Sequence, residues 1–221
     1  MTINKLASTL GQALSVRPAG IDKLDRLWEA AVFLPIVETS EGPSLLFQVR
    51  SQNLRHQPGE ICFPGGRYEC KDGSFATTAL RETCEELGLA LEDLQLLGEL
   101  DALVTHTGPI IHPFVGLLKA PEKIVYNPSE VESIFTVPLS FFLNQEPLRC
   151  AMKLADQPGP DFPYDLVPQR QRSWRFNKAY YCYFYQYQGR VIWGLTARML
   201  YSFIKNFGPT LKELLKEEHY E

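Results

Sequence analysis

Apolar positions along this chain change period several times, and each change marks an element. Ile3, Leu6, Leu10 and Leu14 recur at helical spacing and the pattern stops before Pro18 and Gly20, which predicts an N-terminal helix. Ile21, Leu24, Leu27 and Trp28 predict a further short helical turn. The apolar run over residues 30–38 has strand length, Ser40, Glu41, Gly42 and Pro43 are turn residues, and residues 44–50 (SLLFQVR) read as the partner strand. Shorter runs predict strands at 60–63, 94–100, 111–118, 178–187 and 190–194. Between them, Ala76, Ala79, Leu80, Thr83 and Leu87 fall on one side of a helix that Gly88 stops, and Glu82, Glu85 and Glu86 fall on the other. Ala197, Leu200, Phe203, Ile204 and Phe207 form the stripe of a core helix, and the capping-box spacing of Thr210 and Glu213 predicts a separate short helix after it. Residues 156–168, rich in proline and without periodicity, read as a long surface loop, which residues 169–175 extend with three arginines. Strands and helices in this order predict a mixed sheet covered on both faces, in one domain.

Composition narrows the function classes. With 221 residues, 45% hydrophobic residues and a net charge of -4, the chain has the profile of an ordinary globular domain. Nothing in that balance attracts nucleic acid or an anionic membrane, so an anionic substrate has to be met by a local patch or a bound metal. Five cysteines without C-x-x-C spacing argue against a zinc site and a disulfide framework. The N-terminus lacks a basic stretch followed by an apolar one, no run of about 18 apolar residues occurs, and His219-Tyr220-Glu221 is not a peroxisomal address. These features read as a cytoplasmic protein.

The chemistry concentrates in residues 63–89, FPGGRYECKDGSFATTALRETCEELGL. Like charges three and four positions apart cost a helix roughly 0.2–0.5 kcal/mol per pair, and Glu82 forms such pairs with both Glu85 and Glu86. A lone glutamate pair is ordinarily a solvated surface; three carboxylates on about one turn also make a cage for a hard cation, because Mg²⁺ takes oxygen ligands together with substrate phosphates.

The stretch resembles the Nudix box, in which a glycine and an acidic residue precede R-E-U-x-E-E-x-G-U, with U aliphatic. Gly66, Arg81, Glu82, Glu85, Glu86, Gly88 and Leu89 match in register; Asp72 stands at the first acidic position with one extra residue before Arg81, and Thr83 replaces the first aliphatic residue. That longer spacer is similar to the coenzyme A pyrophosphatase branch of the family. So is the preceding segment RSQNLRHQPGEICFPGG, where Arg50, Ser51, Arg55, Gly59, Phe63, Pro64, Gly65 and Gly66 fall in the branch's extra signature, and so is residues 192–200, IWGLTARML.

The resemblance implies an α/β fold, a Nudix-type α/β/α sandwich with a mixed β-sheet and a loop-helix-loop metal site. The expected organisation is an N-terminal helical extension over 1–29 packed on the domain, a Nudix hydrolase domain over 30–207, and a short C-terminal helix over 208–221. It implies Mg²⁺ or Mn²⁺ held by Glu82, Glu85 and Glu86, with Arg81 orienting them and Glu86, Glu130 or Glu132 as general base. Arg50, Arg55, His56 and Arg67 are the candidate cationic pocket for a 3'-phosphate, and Gly65 and Gly66 let backbone approach the phosphates. His106 and His112, six apart, read more readily as substrate contacts or packing than as ligands. The implied reaction is cleavage of coenzyme A or its derivatives at the pyrophosphate, giving adenosine 3',5'-bisphosphate and 4'-phosphopantetheine or its acyl form. Another Nudix hydrolase of ADP-ribose, NADH or a dinucleotide polyphosphate would share the metal helix without needing the upstream signature, and a non-catalytic nucleotide-binding module would ordinarily have lost a carboxylate. The partners expected are a small-molecule substrate, no nucleic acid, no membrane, and a second copy in a homodimer met by the N-terminal segments.

Overall fold

The computed structural model describes residues 3–16, 28–106, 108–166 and 175–217. Helix α1 covers Ile3–Ser15, with Ile3 and Leu6 exposed; the predicted turn at 21–28 falls, apart from Trp28, outside the described residues, as do 167–174 of the proline-rich and arginine-rich stretch. Strands β1 (Glu29–Val37) and β2 (Ser44–Arg50) form where the apolar runs predict them, followed by the short β3 (Ile61–Cys62) and β4 (Gly65–Arg67). Helix α2 (Phe75–Leu87) leads to β5 (Leu94–Glu99), β6 (Leu103–Val104) and β7 (Ile110–Leu118). The apolar run after Glu130 divides into β8 (Val131–Pro138) and the short helix α3 (Leu139–Asn144).

These eight strands make one mixed sheet. Its central path is β3-β2-β1-β7-β5, with β1 and β7 parallel and the other pairings antiparallel; β4 pairs with β1, β6 with β7, and β8 with β2. A second antiparallel sheet, β11-β10-β9, joins β9 (Leu148–Asp156), β10 (Arg175–Tyr187) and β11 (Arg190–Trp193) ahead of helix α4 (Gly194–Glu217).

Alternation along the central strands sorts their side chains into two cores. Ala31 and Phe33 of β1, Leu46 of β2 and Phe114 of β7 pack against Ala79 and Leu87 of α2. Their neighbours Ala30, Leu34, Leu45, Phe47, Ile111 and Val115 face the opposite way, against Tyr183, Tyr185, Ile192, Leu200 and Phe203 of the second sheet and α4. The mixed sheet is thus covered on both faces, as in the expected α/β/α sandwich. Phe47, fully buried, is at the centre of the second core, stacked on Phe63 at 4.8 Å and Phe135 at 5.5 Å between ring centroids.

Two elements depart from the periodicity. Strand β9 has no clean alternation, and the pattern does not predict it; it forms because β10 offers its backbone groups for pairing from Phe184↔Leu148 to Arg175↔Asp156. The predicted break before Thr210 does not occur, because α4 runs on through Pro209 to Glu217. A proline inside a helix removes one hydrogen bond, but Ile204 and Leu211, on either side of it, both pack on the core, and that burial carries the helix across.

Truncating Phe47 to alanine removes the ring around which this core is stacked. Urea unfolding of Phe47→Ala is expected to give a stability about 3–5 kcal/mol below the wild type; a loss under about 1 kcal/mol would mean that the stack is not central to the core.

Candidate active site

Helix α2 begins at Ser74, whose hydroxyl accepts from Thr77 N–H at 3.1 Å, and ends at Gly88, in the left-handed region at φ 67. Thr83 occupies the position where an aliphatic residue is usual; it is fully buried, and its Oγ1 donates to Ala79 O at 2.7 Å, so the hydroxyl is satisfied within the helix.

Arg81 organises the acidic cluster. Its Nε donates to Asp72 Oδ1 at 2.8 Å and its Nη2 to Asp72 Oδ2 at 3.1 Å, while Nη2 also meets Glu82 Oε1 at 2.8 Å and Nη1 meets Glu85 Oε2 at 2.9 Å. Asp72 is buried and accepts two further bonds, from Thr78 Oγ1 at 2.8 Å and Glu69 N–H at 3.2 Å. Arg81 first, then these donors, holds the Asp72 carboxyl well below the usual carboxylate range. The residue that stands at the first acidic position of the box therefore anchors Arg81.

The three helix glutamates occupy different environments. The glutamate face of α2 is solvated only at Glu85, whose side chain is exposed; Glu82 is half-buried, and Glu86 is 5% exposed. Both Gln48 Nε2, at 2.9 Å, and Gly65 N–H, at 3.0 Å, donate to Glu86 Oε2. Burial, and to a lesser degree the charges of Glu82 and Glu130, push the Glu86 carboxyl up to about 7 despite those two bonds. Burial also raises Glu82, against the pull of Arg81. A side chain on Gly66 would run into the Glu82 carboxylate, so the glycine leaves the space that the carboxylate fills.

A cleft of about 670 Å³ opens over this face. Glu82, Glu86 and Glu130 line it together with Arg50, His56, Gly65, Gly66 and Arg67. A register shift in the β2–β8 ladder pairs Val49 with Ser133 but Arg50 with Val131, leaving Glu132 as the extra residue. Glu130 is thereby on the cleft, tied to the upstream loop by Ser51 N–H donating to Glu130 O at 2.8 Å, whereas exposed Glu132 accepts from Gln52 Nε2 at 3.0 Å and is not among the lining residues. Arg55 is exposed and, like Glu85, outside the lining. Arg50 donates from Nη2 to His56 O at 3.3 Å, while its Nε is buried with no hydrogen-bond partner among the described residues. His112 stacks on Phe75 at 3.6 Å and His106 against Tyr180 at 4.1 Å, both away from the cleft lining.

Several residues of the site, some on the cleft lining and one behind it, escape sequence reasoning. Gln48 is an ordinary polar position in an apolar strand until the fold sets it against Glu86. Trp28, from the segment assigned to the N-terminal extension, has Arg67 over its ring at 5.6 Å, and Trp193, Thr196 and Met199 reach the cleft from β11 and α4. Thr196 Oγ1 fixes that wall by donating to Ile61 O at 3.1 Å. The polar-apolar-polar order of Glu130-Val131-Glu132 carries no local signal that separates the two acidic residues; the register shift against β2 does that.

Among the described residues, no three of the His, Cys, Asp and Glu side chains are gathered into a preformed metal cage. The donor chemistry nevertheless suits a hard divalent cation: three carboxylates on one cleft, two of them raised by burial and by neighbouring carboxylate charge, gain by meeting a cation.

Residues 28–146 match the family model described as the NUDIX domain. This chain belongs to the Nudix family. Its relatives include the uncharacterized Nudix hydrolase NudL of Photorhabdus laumondii, 38% identical over 173 residues that cover 78% of this chain and 81% of that one. The peroxisomal coenzyme A diphosphatase ndx-8 of Caenorhabditis elegans is 47% identical over 106 residues, 47% of this chain and 45% of the worm protein. A Nudix hydrolase of M. smegmatis, RenU, is similar in structure with a TM-score of 0.44 and 21% identity, over 52% of this chain and 74% of that one. The Nudix chain is a metal-dependent pyrophosphohydrolase of a nucleoside-diphosphate-linked substrate, and no helix among its described residues is long and apolar enough to cross a membrane.

The raised Glu86 carboxyl has a measurable consequence. Its folded value of about 7 lies above the ordinary 4.5, so between those values the folded state holds a proton that the unfolded chain has released. Without metal, stability is expected to fall as pH rises through that window, by roughly 3 kcal/mol in all. Urea unfolding in chelator from pH 5 to 7.5 reads this slope, which Glu86→Gln should flatten; an equal slope in the variant would place the titration elsewhere.

Proposed function

We propose that this Nudix enzyme hydrolyses the pyrophosphate bond of coenzyme A or its derivatives, releasing adenosine 3',5'-bisphosphate and 4'-phosphopantetheine or its acyl form. One observation carries the reading: Arg50 of the upstream signature lines the same cleft as Arg67, Glu82 and Glu86, so cationic side chains and the acidic turn share one cavity. A guanidinium donates to phosphate oxygens in charge-assisted hydrogen bonds, which fits an anionic substrate there. The worm relative, named as a coenzyme A diphosphatase, adds support over the segment it matches.

In this reading Glu82, Glu85 and Glu86 would hold the metal ion. Mg²⁺ or Mn²⁺, when bound, would neutralise charge on the pyrophosphate oxygens and acidify a water. Arg81, anchored on Asp72, keeps the glutamates from splaying apart. Gln48 and Gly65 hold one Glu86 oxygen, which orients the carboxylate. Glu130, on the cleft and beside Glu82 and Glu86 in charge, is the better placed of the two candidate bases to accept a proton from the attacking water. Arg50 and Arg67, with His56, receive the 3'-phosphate, and Gly65 and Gly66 keep side chains out of the path of the diphosphate. The catalytic domain is 30–207, with 1–29 as an extension that contributes Trp28.

Chromatographic product analysis with coenzyme A, ADP-ribose, NADH and diadenosine polyphosphates, each with Mg²⁺, Mn²⁺ or chelator, tests the proposal. Metal-dependent release of adenosine 3',5'-bisphosphate mainly from coenzyme A is expected, and preferential cleavage of another substrate would overturn the assignment. Glu86→Gln should lower kcat by about 100-fold or more while leaving the circular dichroism unchanged. Arg50→Gln should raise KM for coenzyme A by about tenfold, with a smaller effect on the 3'-dephospho form; equal effects on both would remove Arg50 from the 3'-phosphate pocket.

A further inference from the structure

Away from the cleft, the second sheet brings two cysteines from distant parts of the chain into direct opposition. Cys150 of β9 and Cys182 of β10 are Cα partners in the antiparallel register, between the pairs Phe184↔Leu148 and Tyr180↔Met152. Residues directly opposite project from the same face of the sheet. Neither takes part in the site described above, and both are free and half-buried. By contrast, burial pushes the Cys62 thiol up to about 11, and Cys70 is exposed.

We propose that Cys150 and Cys182 form an oxidisable dithiol that closes to a cross-strand disulfide. Opposed residues in an antiparallel pair have Cα atoms about 4.5–5.5 Å apart, inside the roughly 4.4–6.8 Å range that a disulfide spans. Their Cβ atoms, at about 4.5–5.5 Å, need only a small closure to reach the roughly 3.5–4.5 Å of a bridge. Strand β9 can supply that closure, because it is an edge strand of the three-stranded sheet, with β10 as its sole neighbour there.

The oxidant is a low-molecular-weight disulfide. The thiolate of one cysteine attacks a sulfur of the small disulfide, forming a mixed disulfide and releasing one small thiolate. The second cysteine, as thiolate, attacks the protein sulfur of that mixed disulfide and expels the second small thiolate. The protein dithiol is oxidised by two electrons, the small disulfide is reduced to two thiols, and the two cysteine protons end on the released thiols. The bridge ties edge strand β9 to β10, and β10 is paired in turn with β11, where Trp193 lies opposite Phe184 and lines the cleft. The dithiol is therefore placed to stiffen one wall of the active site, whatever substrate the cleft accepts.

The test uses the full chain carrying Cys70→Ser, so that the exposed thiol does not compete, incubated with oxidised glutathione and then alkylated and digested. The expected result is a linked pair of peptides containing Cys150 and Cys182, with two thiols lost to alkylation and both recovered after dithiothreitol. Hydrogen exchange should show greater protection of the β9 amides in the oxidised form. Cys150→Ser and Cys182→Ser should each leave the remaining partner only as a mixed disulfide with glutathione, which separates failure to pair from failure to react. Full alkylation of both cysteines after oxidant, stable glutathione adducts on both, or a bridge between other cysteines would overturn the proposal.

Discussion

The guanidinium of Arg81 holds three carboxylates at once, and the active-site side of the molecule depends on it. Carboxylates crowded on one helical turn repel one another, and without a shared cation the turn would relax by splaying its side chains. Arg81 meets Glu82 and Glu85 while its other edge is locked on buried Asp72. Asp72 is fixed in turn by Thr78 and the backbone of Glu69, so the anchor does not move with the side chains it serves. Between Asp72 and Arg81 the chain turns at Gly73, which has positive φ, ahead of the Ser74 cap, and the acidic position reaches its arginine.

With the helix held, Glu86 is driven into the protein. Its carboxylate lies against Gln48 of β2 and the backbone of Gly65, under the floor of the cleft, where burial outweighs two hydrogen bonds and raises its proton affinity. A group so placed is poorly satisfied when charged and alone, which is the condition that makes a cation welcome. The two cores explain why the floor is rigid: every second residue of β1, β2 and β7 packs toward α2, and the alternate ones pack toward α4 and the second sheet. Gln48 occupies one such α2-facing position, so the strand that builds the core also delivers the Glu86 donor.

Much of this was legible in the chain. Long apolar runs and strict periodicity located β1, β2, β5, β7, β10, β11 and α2 within a few residues, because burial on one or both faces dictates those patterns locally. The box and its upstream signature marked Glu82, Glu86, Arg50 and the glycines that come together in the cleft, and Arg81, which holds Glu82. Less was legible where an element exists for its neighbour's sake. Strand β9 is assembled by pairing with β10, and α4 continues through Pro209 because residues on both sides of it find a core; neither reason is written in the local sequence.

What the sequence by itself determined is the chemistry available: a helix carrying three glutamates and an arginine, glycines at the points of close approach, and a family whose members hydrolyse pyrophosphates. Only the tertiary structure decided how that chemistry is divided. It buried Glu86, left Glu85 in solvent, put Glu130 on the cleft and Glu132 outside it, and brought Trp28 and Trp193 to the same cavity from positions far apart in the chain. The physical reason is that side-chain identity and helical spacing are local properties, whereas burial, electrostatic coupling and hydrogen-bond partnership depend on which distant strands arrive alongside.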